Sequence, residues 1–178
     1  MKKLIAVTAF SLLVLSCSDK LSESKVEQLV NDCLSKEPSY GINTINTGKV
    51  TLLTKDEILF FKKLQSKGLL TIEAKPSKER YGFGYNLVKL TNKAKPFVLD
   101  SVAKSNTTNY TFRLYTKKLD KIGSIQEIPA MNMAEVNITY IKDDKTPFYE
   151  EMERDKTDFI TKKIRLKKTE NNGWVYCE

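Results

Sequence analysis

Between residues 132 and 141 the chain alternates strictly. Ala134, Val136, Ile138 and Tyr140 fall on one side of an extended backbone, and Glu135, Asn137 and Thr139 fall on the other. Successive side chains of a strand point to opposite faces, so this period of two marks a strand with one buried and one solvated face. Such half-buried strands belong to antiparallel sheets. Read with the rest of the chain, the pattern leads to an α+β fold. We expect two N-terminal amphipathic helices with a long β-hairpin, followed by an antiparallel β-sheet of four to five strands.

The first helix is signalled by the capping box Ser24-Lys25-Val26-Glu27 and by Val26, Leu29, Val30, Cys33 and Leu34 at helical spacing. It should stop before Pro38. "SYGINTINTG" reads as a loop leading to a short strand over 50–53. Thr54-Lys55-Asp56-Glu57 is a second capping box, with Leu53 and Ile58 at the staple positions, Phe61 and Leu64 on the core stripe and Gly68 as a left-handed stop. "LLTIEA" and "YGFGYNLVKL" form a hairpin around the tip "KPSKER". "KSNTTN" reads as a linker, and 110–116 as a strand. A polar excursion, "KDDKTPFYEEMERDKTD", precedes a strand over 160–168 with Ile164 and Leu166 inward. Asn172-Gly173 is a tight hairpin turn. The expected organisation is a signal peptide over 1–16, helices plus hairpin over 17–100, a linker over 101–109 and an antiparallel β half over 110–178.

The start of the chain has its own pattern. Met1-Lys2-Lys3 is followed by an apolar run to Leu15, broken only by Thr8 and Ser11. This is the charged and apolar layout of a secretory signal peptide. A helix of that run is about 18 Å long against a hydrocarbon core of about 30 Å, too short for a permanent span. Val14-Leu15-Ser16-Cys17 resembles the lipobox of bacterial lipoproteins. The resemblance implies cleavage before Cys17, which then carries a diacylglyceryl thioether and an acylated amine as a membrane anchor. Ser18 after the cysteine implies outer-membrane delivery, and the weakly acidic "SDKLSES" implies a periplasm-facing protein. The partners so implied are the membrane, through the lipid anchor, and an unidentified envelope protein or glycan.

Composition narrows the chemistry. The formal charge is +8, and loss of Lys2 and Lys3 with the leader lowers it by two. An excess of this size suits anionic lipid headgroups, or is ordinary solvated surface. There is no histidine, which removes zinc sites built on imidazole and Ser-His-Asp or Cys-His catalysis within one chain. Cys33 and Cys177 remain beyond the anchor. In an oxidising compartment two thiols tend to pair, here joining the first helix to the last strand; the alternative is two separate buried thiols.

The remaining candidates are weighed against plainer roles. "FFKKLQSKGLLTIEAKPSKERYGFGYNLVKLT" resembles part of a winged helix, which implies phosphate contacts from Lys75, Lys78 and Arg80. Only one helix precedes this wing, where the family has two, and an exported chain does not meet chromosomal DNA, so nucleic acid is a disfavoured partner. Tyr81, Phe83 and Tyr85 share one strand face, as a stacking ladder for sugar rings or a partner chain, or as core. Asp143, Asp144, Glu150, Glu151, Glu153, Asp155 and Asp158 crowd the polar excursion. They match no calcium-loop spacing, and nothing selects two of them as a hydrolase pair. Lys163, Arg165 and Lys167, flanked by Lys162 and Lys168, form a basic strand that faces an acidic partner or guards an edge. Asp100-Ser101-Val102 resembles the acceptor of bacterial periplasmic O-glycosylation, which implies modification at Ser101. No catalytic residue, metal site or cofactor emerges. The leading expectation is a lipid-anchored, non-enzymatic module, with a carboxylate hydrolase or a winged-helix-like nucleic-acid binder as the alternatives.

Overall fold

A computed structural model of the chain describes residues 20–52, 54–76 and 84–177. In order it has α1 (Glu23–Lys36), β1 (Tyr40–Val50), α2 (Lys55–Ser66), β2 (Leu70–Lys75), β3 (Tyr85–Leu90), β4 (Val98–Ala103), β5 (Thr107–Ile128), β6 (Met133–Asp143), α3 (Tyr149–Met152), β7 (Phe159–Thr169) and β8 (Gly173–Val175). All eight strands join one antiparallel sheet in the order β2-β3-β1-β5-β6-β7-β8, with β4 added on β5. No helix among the described residues is long and apolar enough to cross a membrane.

The expected architecture of two N-terminal helices with a hairpin, then a separate sheet of four to five strands, is corrected. Of the described residues 51% are strand and 24% helix, one helix followed by a long strand-rich sheet. Two misread segments account for the difference. "SYGINTINTG" is no loop: Tyr40 to Gly48 pairs with Thr116 to Thr107 of β5, and Gly48 to Val50 pairs with Val88 to Asn86 of β3. Its asparagines and glycines hide the strand, which alternates only locally through Ile45 and Thr47, both buried. Residues 117–128 were hidden by bulges. Register shifts between Leu119 and Lys121 and between Ile122 and Ile125 put the apolar residues three apart, and an extra residue in a strand breaks the period of two.

Residues 101–109, expected as a linker, hold the end of β4, a tight turn and the start of β5, with Ser101 opposite Tyr110. The 22-residue β5 is shared by both ends of the molecule. β1 lines one edge of its first half, while β4 and β6 lie end to end along the other.

The local signals hold in detail. Thr54 and Glu57 form the expected capping box, and Gly68 ends α2 at φ 71°. The cap of α1 is two residues earlier than expected, at Ser22, whose hydroxyl accepts from the Lys25 N–H. Leu53 of the staple lies outside the described residues. Ala134, Val136, Ile138 and Tyr140 are all buried, under α1 through Val26 and Val30 and beside Ile164, Leu166 and Trp174. A second cluster joins Phe61 and Leu64 of α2 to Leu70, Val88, Phe112 and Phe148.

Candidate functional site

The sequence candidates scatter. Cys17, Lys78, Arg80, Tyr81 and Phe83 lie outside the described residues. Tyr85 opens β3 half-buried, with the Lys49 ammonium 5.4 Å from its ring centre. Cys33 and Cys177 are disulfide-bonded, Cα to Cα 5.7 Å across 144 residues of sequence. Ser101 is exposed on β4, its N–H donating to the Asp100 carboxylate at 2.7 Å.

The basic strand is not a free patch. Lys163 and Arg165 both donate to Glu135, at 3.0 and 3.1 Å. Lys163 first, then Arg165, hold the Glu135 carboxyl below its ordinary pKa. Lys167 is exposed where β8 begins to pair. Up to that point the outer edge of β7 meets no strand among the described residues, so lysines there also keep a foreign strand from adding.

The acidic excursion is a clamp rather than a ligand cage. Among the described residues no three acidic or cysteine side chains gather as metal ligands. Glu151 is taken by Lys67 at 2.9 Å and Lys63 at 3.4 Å, which tie the excursion to α2. Lys67 is the main reason its carboxyl sits below the ordinary range. Arg113 pairs with Asp144, and Lys145 with Asp158. Lys142, buried, donates to the Asp155 carbonyl at 2.5 Å and stands 3.9 Å from the Glu153 carboxylate. Its ammonium also lies over the rings of Tyr115 and Tyr149, at 5.2 and 5.8 Å. Burial, then the Glu153 charge, push the Tyr115 hydroxyl up to about 12. Sequence reasoning took this segment as solvated loop and missed Phe148, Tyr149 and Met152, which are buried within it.

An open concavity lies elsewhere among the described residues. A cleft of about 900 Å³ is lined by the end of β1, by Leu87 to Leu90 of β3, by Lys95 and Val98, by the β4–β5 turn and by the start of β5 through Tyr110. That volume falls within the range of about 300–1,000 Å³ typical of small-ligand sites. Among the described residues its charged lining is Lys49, Lys89, Lys95 and Lys104, without a carboxylate. None of the four forms an ion pair with a described residue at salt-bridge distance. Glu73 on β2 is held below its usual range by Lys75 and, more weakly, by the charge of Lys89. Four cations on one concave surface, none in an ion pair with a described residue, raise the local concentration of anions.

Backbone chemistry shapes the cleft. Gly48 sits at φ 86°, and a Cβ there would run into the Asn106 carbonyl oxygen and lie 3.0 Å from the Thr107 Cα. This close approach lets the Lys49 N–H donate to the Asn106 carbonyl at 2.9 Å, and the Lys104 N–H donates to the Thr107 carbonyl at 2.8 Å. The Thr47 hydroxyl is buried and donates to the Thr108 carbonyl at 3.2 Å. Gly48→Ala is therefore expected to destabilise the chain by about 1–3 kcal/mol, through positive-φ strain and displacement of the turn. A urea midpoint equal to that of the parent would contradict this account of the turn.

Sequence reasoning missed this site because its four lysines come from three separate stretches of chain. Pairing of "NTGK" against "KSNTTN" brings Lys49 to Lys104, and pairing of β1 with β3 brings Lys89 beside them. No protein-family model, curated protein or solved structure matches the chain.

Proposed function

We propose that the chain is a lipid-anchored protein of the bacterial envelope, a non-enzymatic binding module whose cleft takes an anionic ligand. The observation that carries the binding role is the cleft itself, with Lys49, Lys89, Lys95 and Lys104 on its lining and no acid among them. A carboxylate hydrolase needs two acids sharing a pocket, and in the excursion Glu151, Glu153 and Asp158 are taken up instead in pairs with Lys63, Lys67, Lys142 and Lys145.

The anchored location rests on the lipobox-like Val14-Leu15-Ser16-Cys17. The Cys33–Cys177 disulfide supports it, since such bonds persist in oxidising compartments and are rare in the cytosol. Two acyl chains hold a protein on a bilayer where one does so only marginally. Outer-membrane placement facing the periplasm follows the same resemblance.

The test is metabolic labelling with an alkyne fatty acid in a Gram-negative host. Wild-type chain should take the label and fractionate with membranes, and Cys17→Ser should lose both properties. An unlabelled, soluble wild-type chain ends the anchored reading.

A further inference from the structure

We infer that the cleft takes an acidic glycan of the envelope, away from the bilayer in which the chain is anchored. This inference rests on the anchored reading above. Its first support is the layout of β5. Leu21 is buried, and its N–H donates to the Glu127 carboxylate at 2.9 Å, which fastens the start of the fold near the C-terminal end of β5. Cys17 is four positions before Leu21, so the expected anchor lies no more than about 14 Å from Leu21. The cleft lies at the other end, on Thr107 and Thr108. A strand of 22 residues is about 70 Å long when straight. β1 and β4 pair with the first half of β5 and β6 with the rest, so the cleft and the Leu21 contact lie on different halves of the strand. The Debye length is about 8 Å at physiological ionic strength, so bilayer phosphates farther than this from the lysines are largely screened from them.

The second support is the chemistry of the lining. The cleft is open along one side. An acyl chain laid there stays wet, whereas a polar polymer runs through and continues beyond. Ser105, Thr107 and Thr108 supply hydroxyls and Asn106 a carboxamide, all at one turn, and the half-buried ring of Tyr110 lies beside them. Hydroxyls and amides match sugar hydroxyls, and an aromatic ring offers an apolar surface with a polar tip. Lysine is a compact point charge without the planar fork of arginine, so the four cations fit carboxylate or phosphate substituents alike.

The test uses the full lipidated chain in phosphatidylcholine vesicles, titrated with polygalacturonate, neutral dextran and a single-stranded oligonucleotide. Polygalacturonate should bind and dextran should not. Replacing Lys49, Lys89, Lys95 and Lys104 together with glutamine should weaken binding at least about tenfold, as expected when a polyanion contact loses its cations. Glutamine at Lys25, Lys36, Lys118 and Lys121, which removes the same charge elsewhere, should leave binding within about twofold of the parent. Arginine at the four cleft positions should restore it, which separates lost charge from lost folding. Vesicles rich in phosphatidylglycerol should not compete. Any of four results overturns the inference: no polygalacturonate binding, equal loss in both glutamine variants, tighter binding of the oligonucleotide, or competition by the vesicle's own anionic lipid. A chain without lipid on Cys17 sinks the anchored reading alone. The same titration in solution then still decides the cleft, in its favour if polygalacturonate binds through the four lysines and against it otherwise.

Discussion

Replacing both Cys33 and Cys177 with serine is expected to lower stability by up to about 5 kcal/mol, the loop-entropy value for a closed loop of this length. The two residues stand 144 apart in sequence, so the bond restricts almost the whole described chain in its unfolded state. It also acts on a particular joint. α1 covers β6 with Val26 and Val30, while Cys33 in its last turn is fixed to the segment after β8. Without the bond, α1 is held mainly by its apolar stripe and by the Leu21 contact to Glu127. Urea unfolding of the oxidised parent, the reduced parent and the double serine variant measures the effect. The reduced and serine forms should unfold together, well below the oxidised form. Coincident curves for all three would show that the bond contributes nothing. The same comparison bears on compartment: a chain that depends on this bond reaches full stability only where thiols are oxidised.

Legibility in the sequence followed the reach of the signal. Where a structure is decided by neighbours in the chain, the residues say so. Thr54 and Glu57 cap α2, Gly68 stops it, and Ala134 to Tyr140 alternate into the core. Where partners come from afar, the residues are silent or misleading. β1 is a strand because β5 and β3 supply its hydrogen bonds, not because Asn43, Asn46 and Gly48 favour extension; strand preference is largely a matter of context. The second half of β5 has its apolar residues at spacings of three, a pattern set by bulges that only the pairing with β6 reveals. The candidate site fails to show in sequence for the same reason. A lysine in a run of 30 basic residues carries no mark of whether it meets a carboxylate, as Lys67 does, or lines a cleft, as Lys89 does.

That division of the basic residues bears on the net charge. Lys63, Lys67, Lys142, Lys145 and Arg113 are matched by the acids of the excursion between β6 and β7. Lys163 and Arg165 are matched by Glu135. The excess is therefore not spread evenly, and part of it collects in the cleft. Exposed pairs of this kind contribute little to stability one by one. Their larger consequence is to leave a concave surface with unbalanced charge, which is a property of recognition more than of folding.

Phe112→Ala is expected to lower stability by about 3–5 kcal/mol, the usual loss when a buried aromatic is truncated and its cavity stays open. Phe112 is fully buried, with its ring centre 4.3 Å from that of Phe148 and 6.2 Å from that of Tyr110. It thus holds the excursion, the sheet and the floor of the cleft in one cluster. The informative readout lies at the other end of the molecule. Trp174 is the only tryptophan in the chain and belongs to the cluster under α1. Because β5 runs through both clusters, unfolding should be one cooperative transition, and tryptophan fluorescence should shift to lower urea by as much as far-ultraviolet circular dichroism does. Two independent halves meeting near residues 101–109 would behave differently, with the fluorescence midpoint staying at the parent value while dichroism alone moved. Coincident shifts mean that the cleft and the cluster under α1 stand or fall together, so a ligand bound by the four lysines stabilises α1 as well.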